Sequence, residues 1–287
     1  MVTIKNLTKS YGNTKALDNL SLTIPNGGVF GLLGVNDAGK TTLLSILNGL
    51  IKPDSGAVEV FGYNLLTQRS NIKRISSIIP QSLAFYEELS VRENLAFFAS
   101  IQNASKESVQ KAIAINNLEG FLDKKASFLS GGQKRRLNIA IGLLNEPKII
   151  YFDEPTVGVD PKSRNEILDS IASYKAMGIT VVYTSHYIEE IERICDEVAI
   201  IDKGGLIYQD KMENLLSNKC SDVVLIQTLY SPNLQKLALN LLDETTIQTK
   251  ENEVCSVLEL LEKNNIHVKK LHYGASNLEQ FFLEVTQ

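Results

Sequence analysis

The chain has 287 residues, 44% hydrophobic and 22% charged, the ordinary balance of a soluble globular protein and enough for one large α/β domain with a smaller one attached. Its net charge of −4 argues against a general nucleic-acid binder, and its three scattered cysteines (Cys195, Cys220 and Cys255) offer neither a disulfide framework nor a paired-cysteine metal knuckle, so a reducing cytoplasm is expected. The start lacks a basic-then-apolar signal segment, and apolar runs of about six residues fall short of the roughly 20 that cross a membrane. A soluble chain is expected, with any membrane role coming through a partner.

In chain order, residues 2–7 and 17–24 read as paired strands joined through a turn at Tyr11-Gly12-Asn13. The apolar run 28–33 predicts a buried strand, and residues 41–49 predict a helix. Between them lies Gly34-Val35-Asn36-Asp37-Ala38-Gly39-Lys40-Thr41, which fits the P-loop pattern G-x-x-x-x-G-K-[ST] in the strand-to-helix context that pattern requires. Its glycines let successive N–H groups point inward as an anion nest, and the new helix adds the positive end of its dipole. Lys40 is then expected on the β- and γ-phosphates of a nucleotide, and the Thr41 hydroxyl on Mg²⁺.

Beyond the P-loop come a turn at 52–56 and strands at 57–61 and 75–79, the latter ending at Pro80-Gln81. From 90 to about 116 the pattern is helical, opened by the capping box Ser90-Val91-Arg92-Glu93 and again at Ser105. A helix is predicted over 131–144 and a short buried strand over 148–152. Helix 162–177, strand 179–184, helix 187–194 and strand 198–201 then alternate, which predicts a mostly parallel sheet flanked by helices. After Leu215-Leu216 the character changes. Strand 222–228, helix 234–242, strand 244–248, a turn with a helix over 253–261, strand 266–273 and an amphipathic helix 277–285 read as a small split-βαβ domain without phosphate or metal motifs.

Two further groups complete a phosphate site. Asp153, at the end of the strand predicted over 148–152, is placed to reach Mg²⁺ through water, and Glu154 is expected to point elsewhere, suited to polarising an attacking water. Leu129-Ser130-Gly131-Gly132-Gln133 opens a helix and offers a second anion nest. One P-loop already cradles the triphosphate, so this nest makes sense if it closes over the γ-phosphate of another subunit.

With these strings the chain resembles the nucleotide-binding subunits of ATP-binding-cassette (ABC) transporters, whose signature is the LSGGQ string, and matched residues run in the family order over about 1–215. The resemblance implies a P-loop cassette with a mostly parallel core sheet, an N-terminal antiparallel β subdomain and a helical signature subdomain over about 82–146. Residues 216–287 then form a small α+β accessory domain. It implies ATP and Mg²⁺ as cofactors. Nucleotide contacts fall on Tyr11 (stacked on adenine), on Gly34 to Thr41 and on Thr42, and metal contacts on Thr41, Gln81 and Asp153. Catalytic roles fall on Lys40, on Glu154 as base and on His186 as the switch histidine at the γ-phosphate. Ser130, Gly131, Gly132 and Gln133 act in trans, and Asp160 lies in the D-loop across the interface.

The string from Ser90 to Leu95, the single cassette and the closing residues 277–286 are similar to stand-alone cassettes of bacterial exporters of drugs, antibiotics, peptides or sodium. The partners so implied are a second cassette, in a homodimer before a heterodimer, and a membrane permease contacting the region from Gln81 to Ala99 at the inner face of the cell membrane. The alternatives are a soluble cassette ATPase of DNA repair or translation, and an impaired sensor or immunity cassette.

Asp37 departs from the pattern, which has Gly there. Its backbone need is met, since Asp visits the left-handed region readily. A carboxylate about 4 Å from a phosphate is repelled by about 4 kcal/mol at an effective dielectric of 20, unless Mg²⁺ or Lys40 screens it. Three readings stand open: a tolerated natural residue with its carboxylate turned to solvent, a weakened ATP site, or an introduced mutation. The expectation is weaker nucleotide affinity with the fold preserved.

Overall fold

The computed structural model describes residues 1–217, 223–231, 234–237, 239–273, 278 and 282. They divide into two compact units, Met1–Met212 and Glu213–Gln287.

In the first unit, strands β1 (Val2–Tyr11) and β2 (Thr14–Ile24) form an antiparallel hairpin that turns at Gly12, φ 57°. Strand β3 (Val29–Leu33) leads through the P-loop into helix α1 (Lys40–Leu47). Strands β4 (Ser55–Val60) and β5 (Tyr63–Asn64) join the hairpin in a four-stranded sheet ordered β2-β1-β4-β5. Helix α2 (Arg69–Ile75) and strand β6 (Ser76–Ile79) follow, and then helices α3 (Val91–Gln102), α4 (Lys106–Ile115) and α5 (Gly131–Leu143). Strand β7 (Ile149–Asp153), helix α6 (Pro161–Ser173), strand β8 (Thr180–Ser185), helix α7 (Ile188–Ile194) and strands β9 (Glu197–Asp202) and β10 (Gly205–Lys211) complete the unit.

The second sheet is ordered β10-β9-β3-β8-β7-β6. Five of its strands are parallel, and β10 closes one edge antiparallel to β9. Every residue of β3, β7 and β8 is buried, and their central runs (29–33, 149–152 and 181–183) carry no charged side chain and no serine or threonine, as a parallel sheet covered on both faces demands. The polar residues Asp153, Thr184 and Ser185 sit at the carboxyl ends. Helix α1 is apolar on most sides because it packs in one core with both sheets: Leu43, Leu44, Ile46 and Leu47 meet Ile4, Leu7 and Leu20 from the antiparallel sheet and Tyr151 and Ile201 from the parallel one. Each buried leucine there contributes about 2 kcal/mol. The core thus clamps the helix whose N-terminus carries the P-loop.

Helix α3 starts at Ser90 in a complete capping box with Glu93, and buried Asn94 exchanges two hydrogen bonds with the backbone of Tyr86. Its partner α5 is capped the same way, Ser130 with Gln133.

Helix α8 (Met212–Ser217) crosses into the second unit. Strands β11 (Val223–Thr228), β12 (Thr246–Lys250) and β13 (Val268–Tyr273) pair antiparallel in the order β12-β11-β13, and α9 (Val254–Lys263) adds Val257 and Leu261 to a core with Val224, Ile226, Leu234, Ile247 and Ile266. The helix expected over 234–242 is not formed. Among the described residues of this stretch, Leu234–Lys236 makes a 3₁₀ turn, and Leu241 bridges to Ile247. The stretch carries two periods at once, and Leu237, Leu239 and Leu241, spaced by two, pack on this core. The order read as β-α-β is accordingly, among the described residues, a three-stranded antiparallel sheet with α9 packed on it. The amphipathic helix expected over 277–285 lies outside the described residues except at Leu278 and Phe282. No described helix is long and apolar enough to cross a membrane.

Candidate nucleotide site

The site lies beyond the carboxyl ends of β3, β7 and β8, where loops of an open parallel sheet gather. An open cleft of 850 Å³ there is lined by Tyr11 and Asn36 to Thr42, together with Gln81, Glu154 and His186. The P-loop needs its glycines for close approach. A Cβ on Gly39, at φ 100°, would collide with the Ala16 carbonyl, and one on Gly34 would come within 2.5 Å of the Ile201 carbonyl. Asp37 takes the left-handed conformation, φ 65°, and is exposed at the cleft's rim.

Lys40 is 6% exposed, and its Nζ donates to the carbonyls of Gly34 (2.8 Å) and Val35 (3.0 Å) while standing 3.6 Å from Glu154 Oε1. The ammonium is held over the nest by the loop it serves. At the end of β7 the chain leaves the strand through Glu154, itself left-handed at φ 47°. Strand alternation alone aimed Glu154 away. The turn instead brings it between Lys40 and His186, whose Nδ1 is 3.4 Å from Glu154 Oε2. Thr184, fully buried, fixes this turn: its hydroxyl accepts the Glu154 N–H (2.9 Å) and lies 3.1 Å from Asp153 Oδ1. Burial pushes the Asp153 carboxyl above its ordinary pKa, against the opposing hydrogen bonds from Thr41 and Thr184.

The donor set fits a hard divalent cation, since the Thr41 hydroxyl is close enough to the Asp153 carboxylate to pull its pKa down against burial and all candidate ligands are oxygens. No cluster of three His, Cys, Asp or Glu exists among the described residues, so any such ion would complete its shell with phosphate and water. Tyr11, half exposed at the end of β1, presents its ring at the other end of the cleft.

The structure brings together Tyr11, Asn36 to Thr42, Gln81, Glu154 and His186, with Asp153 joined to them through Thr41. Gly34 and Val35 contribute the carbonyls that hold Lys40. Ser130 to Gln133 and Asp160 form a second cluster that does not line the cleft. Gly132 packs so tightly on Ser163 that a Cβ would overlap its side chain, and Asp160 caps α6 by accepting the Ser163 N–H (3.0 Å). Gly131 stays open, its nearest neighbour being the Gly158 carbonyl at 3.7 Å from a Cβ position.

Sequence reasoning missed the residues that connect these clusters. Arg135 of α5, 4% exposed, donates to the carbonyls of Pro80 (2.9 Å) and Gln81 (2.6 Å), and Asn138 accepts the Ala84 N–H (2.9 Å). The helix behind Ser130 is thereby fastened to the loop carrying Gln81. Thr184 had no signal in the sequence beyond its place in a strand. Past the Gln81 loop, Tyr86, Phe97 and Phe98 form an aromatic cluster with centroids 5.1 to 6.1 Å apart, and Leu83, Tyr86, Phe97 and Ile101 are exposed around it.

The sequence pattern of the ABC transporter family matches residues 17–157. The chain is 34% identical to the linearmycin resistance ATP-binding protein of Bacillus subtilis (strain 168), with 100% of this chain and 98% of that protein covered. It is 31% identical to a daunorubicin resistance ATP-binding protein of Streptomyces coeruleorubidus, over 99% of this chain and 95% of that one. Among solved structures it is similar to a dimeric ATP-binding cassette in a post-hydrolysis state with ADP and phosphate, at a TM-score of 0.67 and 28% identity over 74% of this chain and 99% of that one.

Proposed function

Because the chain belongs to the ABC transporter family, as an ATP-binding, ATP-hydrolysing subunit of the drug- and antibiotic-exporter type, we propose that it works as half of a nucleotide-driven clamp on a separate membrane permease. The observation that carries this reading is the split between the two anion nests. The cleft holds Lys40, Glu154 and His186, whereas Ser130 to Gln133 lie outside it. Two copies placed face to face, most simply a homodimer, let each Ser130-Gly131-Gly132 nest close over the γ-phosphate held by the other copy's P-loop.

In that arrangement Tyr11 stacks on adenine and the N–H groups of residues 36–42 cradle the phosphates, with Lys40 neutralising their charge. Thr41, Asp153 and Gln81 would hold Mg²⁺, which would supply neutralisation of the phosphate charge. Glu154 accepts a proton from the attacking water while His186 holds the other side of the γ-phosphate. The exposed aromatic and aliphatic side chains at Leu83, Tyr86, Phe97 and Ile101 support a docking face for the permease, and in this reading the subunit works at the inner face of the membrane. Arg135 supplies a route by which closure at Ser130 reaches that face through the Gln81 loop.

The test is Glu154→Gln in the full chain with Mg·ATP. It should bind ATP, cease to turn over, and run as a dimer by light scattering. A protein that stays monomeric at every concentration, even with its permease present, removes the clamp; one that keeps its turnover removes Glu154 as base.

A further inference from the structure

Behind the cleft one carboxylate gathers the loops that face it. Glu190, in the first turn of α7, is 3% exposed, and a single oxygen, Oε2, accepts three hydroxyls: Ser185 (2.7 Å), Tyr183 (2.8 Å) and Thr156 (3.0 Å). Its other oxygen faces the Arg164 guanidinium, with Nε at 3.5 Å. Burial holds the Tyr183 hydroxyl far above its ordinary pKa, so it remains a donor.

These partners come from three segments: Tyr183 and Ser185 from the end of β8, Thr156 from the turn after β7, and Arg164 from α6. Thr156 lies two residues beyond Glu154. Ser185 directly precedes His186, and its oxygen also accepts the Tyr187 N–H (2.9 Å), so the backbone is pinned on both sides of the histidine. Arg164 sits in the first turns of the helix capped by Asp160, and its guanidinium lies 4.6 Å over the Tyr187 ring, which in turn is 4.0 Å from the His186 ring. Hydroxyl bonds to a carboxylate are about twice as strong as those between neutral groups. A buried carboxylate is costly to keep, so its worth lies in the geometry it specifies.

We propose that Glu190 is a positioning residue that locks the Glu154 turn, the Asp160 helix and His186 into one register, so that the three meet the γ-phosphate together. The proposal rests on the reading of Glu154 and His186 given above. Glu190 does not line the cleft and takes no part in holding nucleotide.

The experiment compares Glu190→Ala, Glu190→Gln and Ser185→Ala in the full chain, with Glu154→Gln alongside. Misplacing catalytic groups by about 1 Å costs up to about a hundredfold, so Glu190→Ala should lower kcat by about tenfold to a hundredfold. Affinity for ATP should stay within about twofold, because nothing in the P-loop is touched. Glu190→Gln keeps an oxygen for the three hydroxyls but loses the charge opposite Arg164. It should restore most of the turnover, with Ser185→Ala falling between the two. In the ATP-bound state the imidazole NMR signals of His186, one of three histidines, should move in Glu190→Ala and return in Glu190→Gln.

Normal kcat in folded Glu190→Ala overturns the proposal, as does a loss of ATP affinity in step with kcat. If Glu190→Ala fails to fold, Ser185→Ala decides: unchanged turnover and an unmoved His186 signal refute the idea. Loss of turnover in Glu154→Gln with none in the Glu190 and Ser185 variants defeats this inference alone. Retained turnover in Glu154→Gln defeats the reading beneath it.

Discussion

The two glycine-rich helix starts of this protein use the same physics and arrive at different devices. Any α-helix leaves its first N–H groups without partners inside the helix. At α1 the residue before the helix is Gly39, left-handed at φ 100°, with no side chain to cap the turn, so the N–H groups of Lys40, Thr41 and Thr42 face the cleft. At α5 the residue before the helix is Ser130, which accepts the Gln133 N–H (3.3 Å) while Gln133 Oε1 accepts the Ser130 N–H (3.1 Å). The first nest also owns a buried cation, Lys40. The second has polar groups already paired with one another and glycines that keep its rim low. A self-satisfied nest is stable without ligand and can open to one presented from outside, whereas the uncapped nest depends on the ammonium and the walls of its own fold.

Two substitutions break this comparison most sharply. Lys40→Ala removes charged hydrogen bonds worth about 1.5–3 kcal/mol, so ATP affinity measured with the isolated chain should fall by about tenfold to a hundredfold. Gly131→Asp has room for its side chain but puts a carboxylate where the γ-phosphate of the facing copy is proposed to sit. It should leave ATP affinity of the isolated chain unchanged and lower turnover by about a hundredfold or more. Equal losses of affinity in both variants would mean that both nests serve the same nucleotide in one chain.

The glycines sharpen the comparison at the level of stability. Gly39→Ala meets the Ala16 carbonyl from a left-handed backbone and should cost about 1–3 kcal/mol, read as a lower Tm. Gly131→Ala meets nothing closer than 3.7 Å and should change stability by less than about 0.5 kcal/mol.

Among the binding effects the smallest is expected at Asp37. Its side chain is exposed, so solvent screens the repulsion of a carboxylate beside a phosphate further, and about 1 kcal/mol remains. Asp37→Gly should then tighten ATP binding by about fivefold with Tm nearly unchanged, measured by titration calorimetry and thermal melts. Equal affinity in both proteins would mean the carboxylate is turned away from the phosphates.

Much of the first unit was legible from the chain. The P-loop, the strand ending at Asp153 and the helix opened by Ser130 each place their signal within ten or so residues, and the structure forms those elements close to where the patterns put them. The short helix α2 and the edge strand β10 were not legible. Neither carries a clean apolar period: Ile72 is the one fully buried residue of α2, and no residue of β10 is. The stretch at 234–242 was misread because its leucines satisfy two periods, and the ones spaced by two, Leu237, Leu239 and Leu241, are those that pack on the core.

What the sequence determined by itself is local: which segment curls around an anion, which strand ends in acidic residues, and which helix starts on Ser-Gly-Gly. Those outcomes follow from backbone freedom at glycine and from hydrogen bonds between near neighbours, so short strings encode them. What only the tertiary structure decided is how the pieces are joined. Arg135 reaching the Gln81 carbonyl, Thr184 setting the Glu154 turn and Glu190 holding three hydroxyls all link residues brought together by the packed sheet. A buried polar group takes whichever partner the fold delivers, and the residue type alone does not name it.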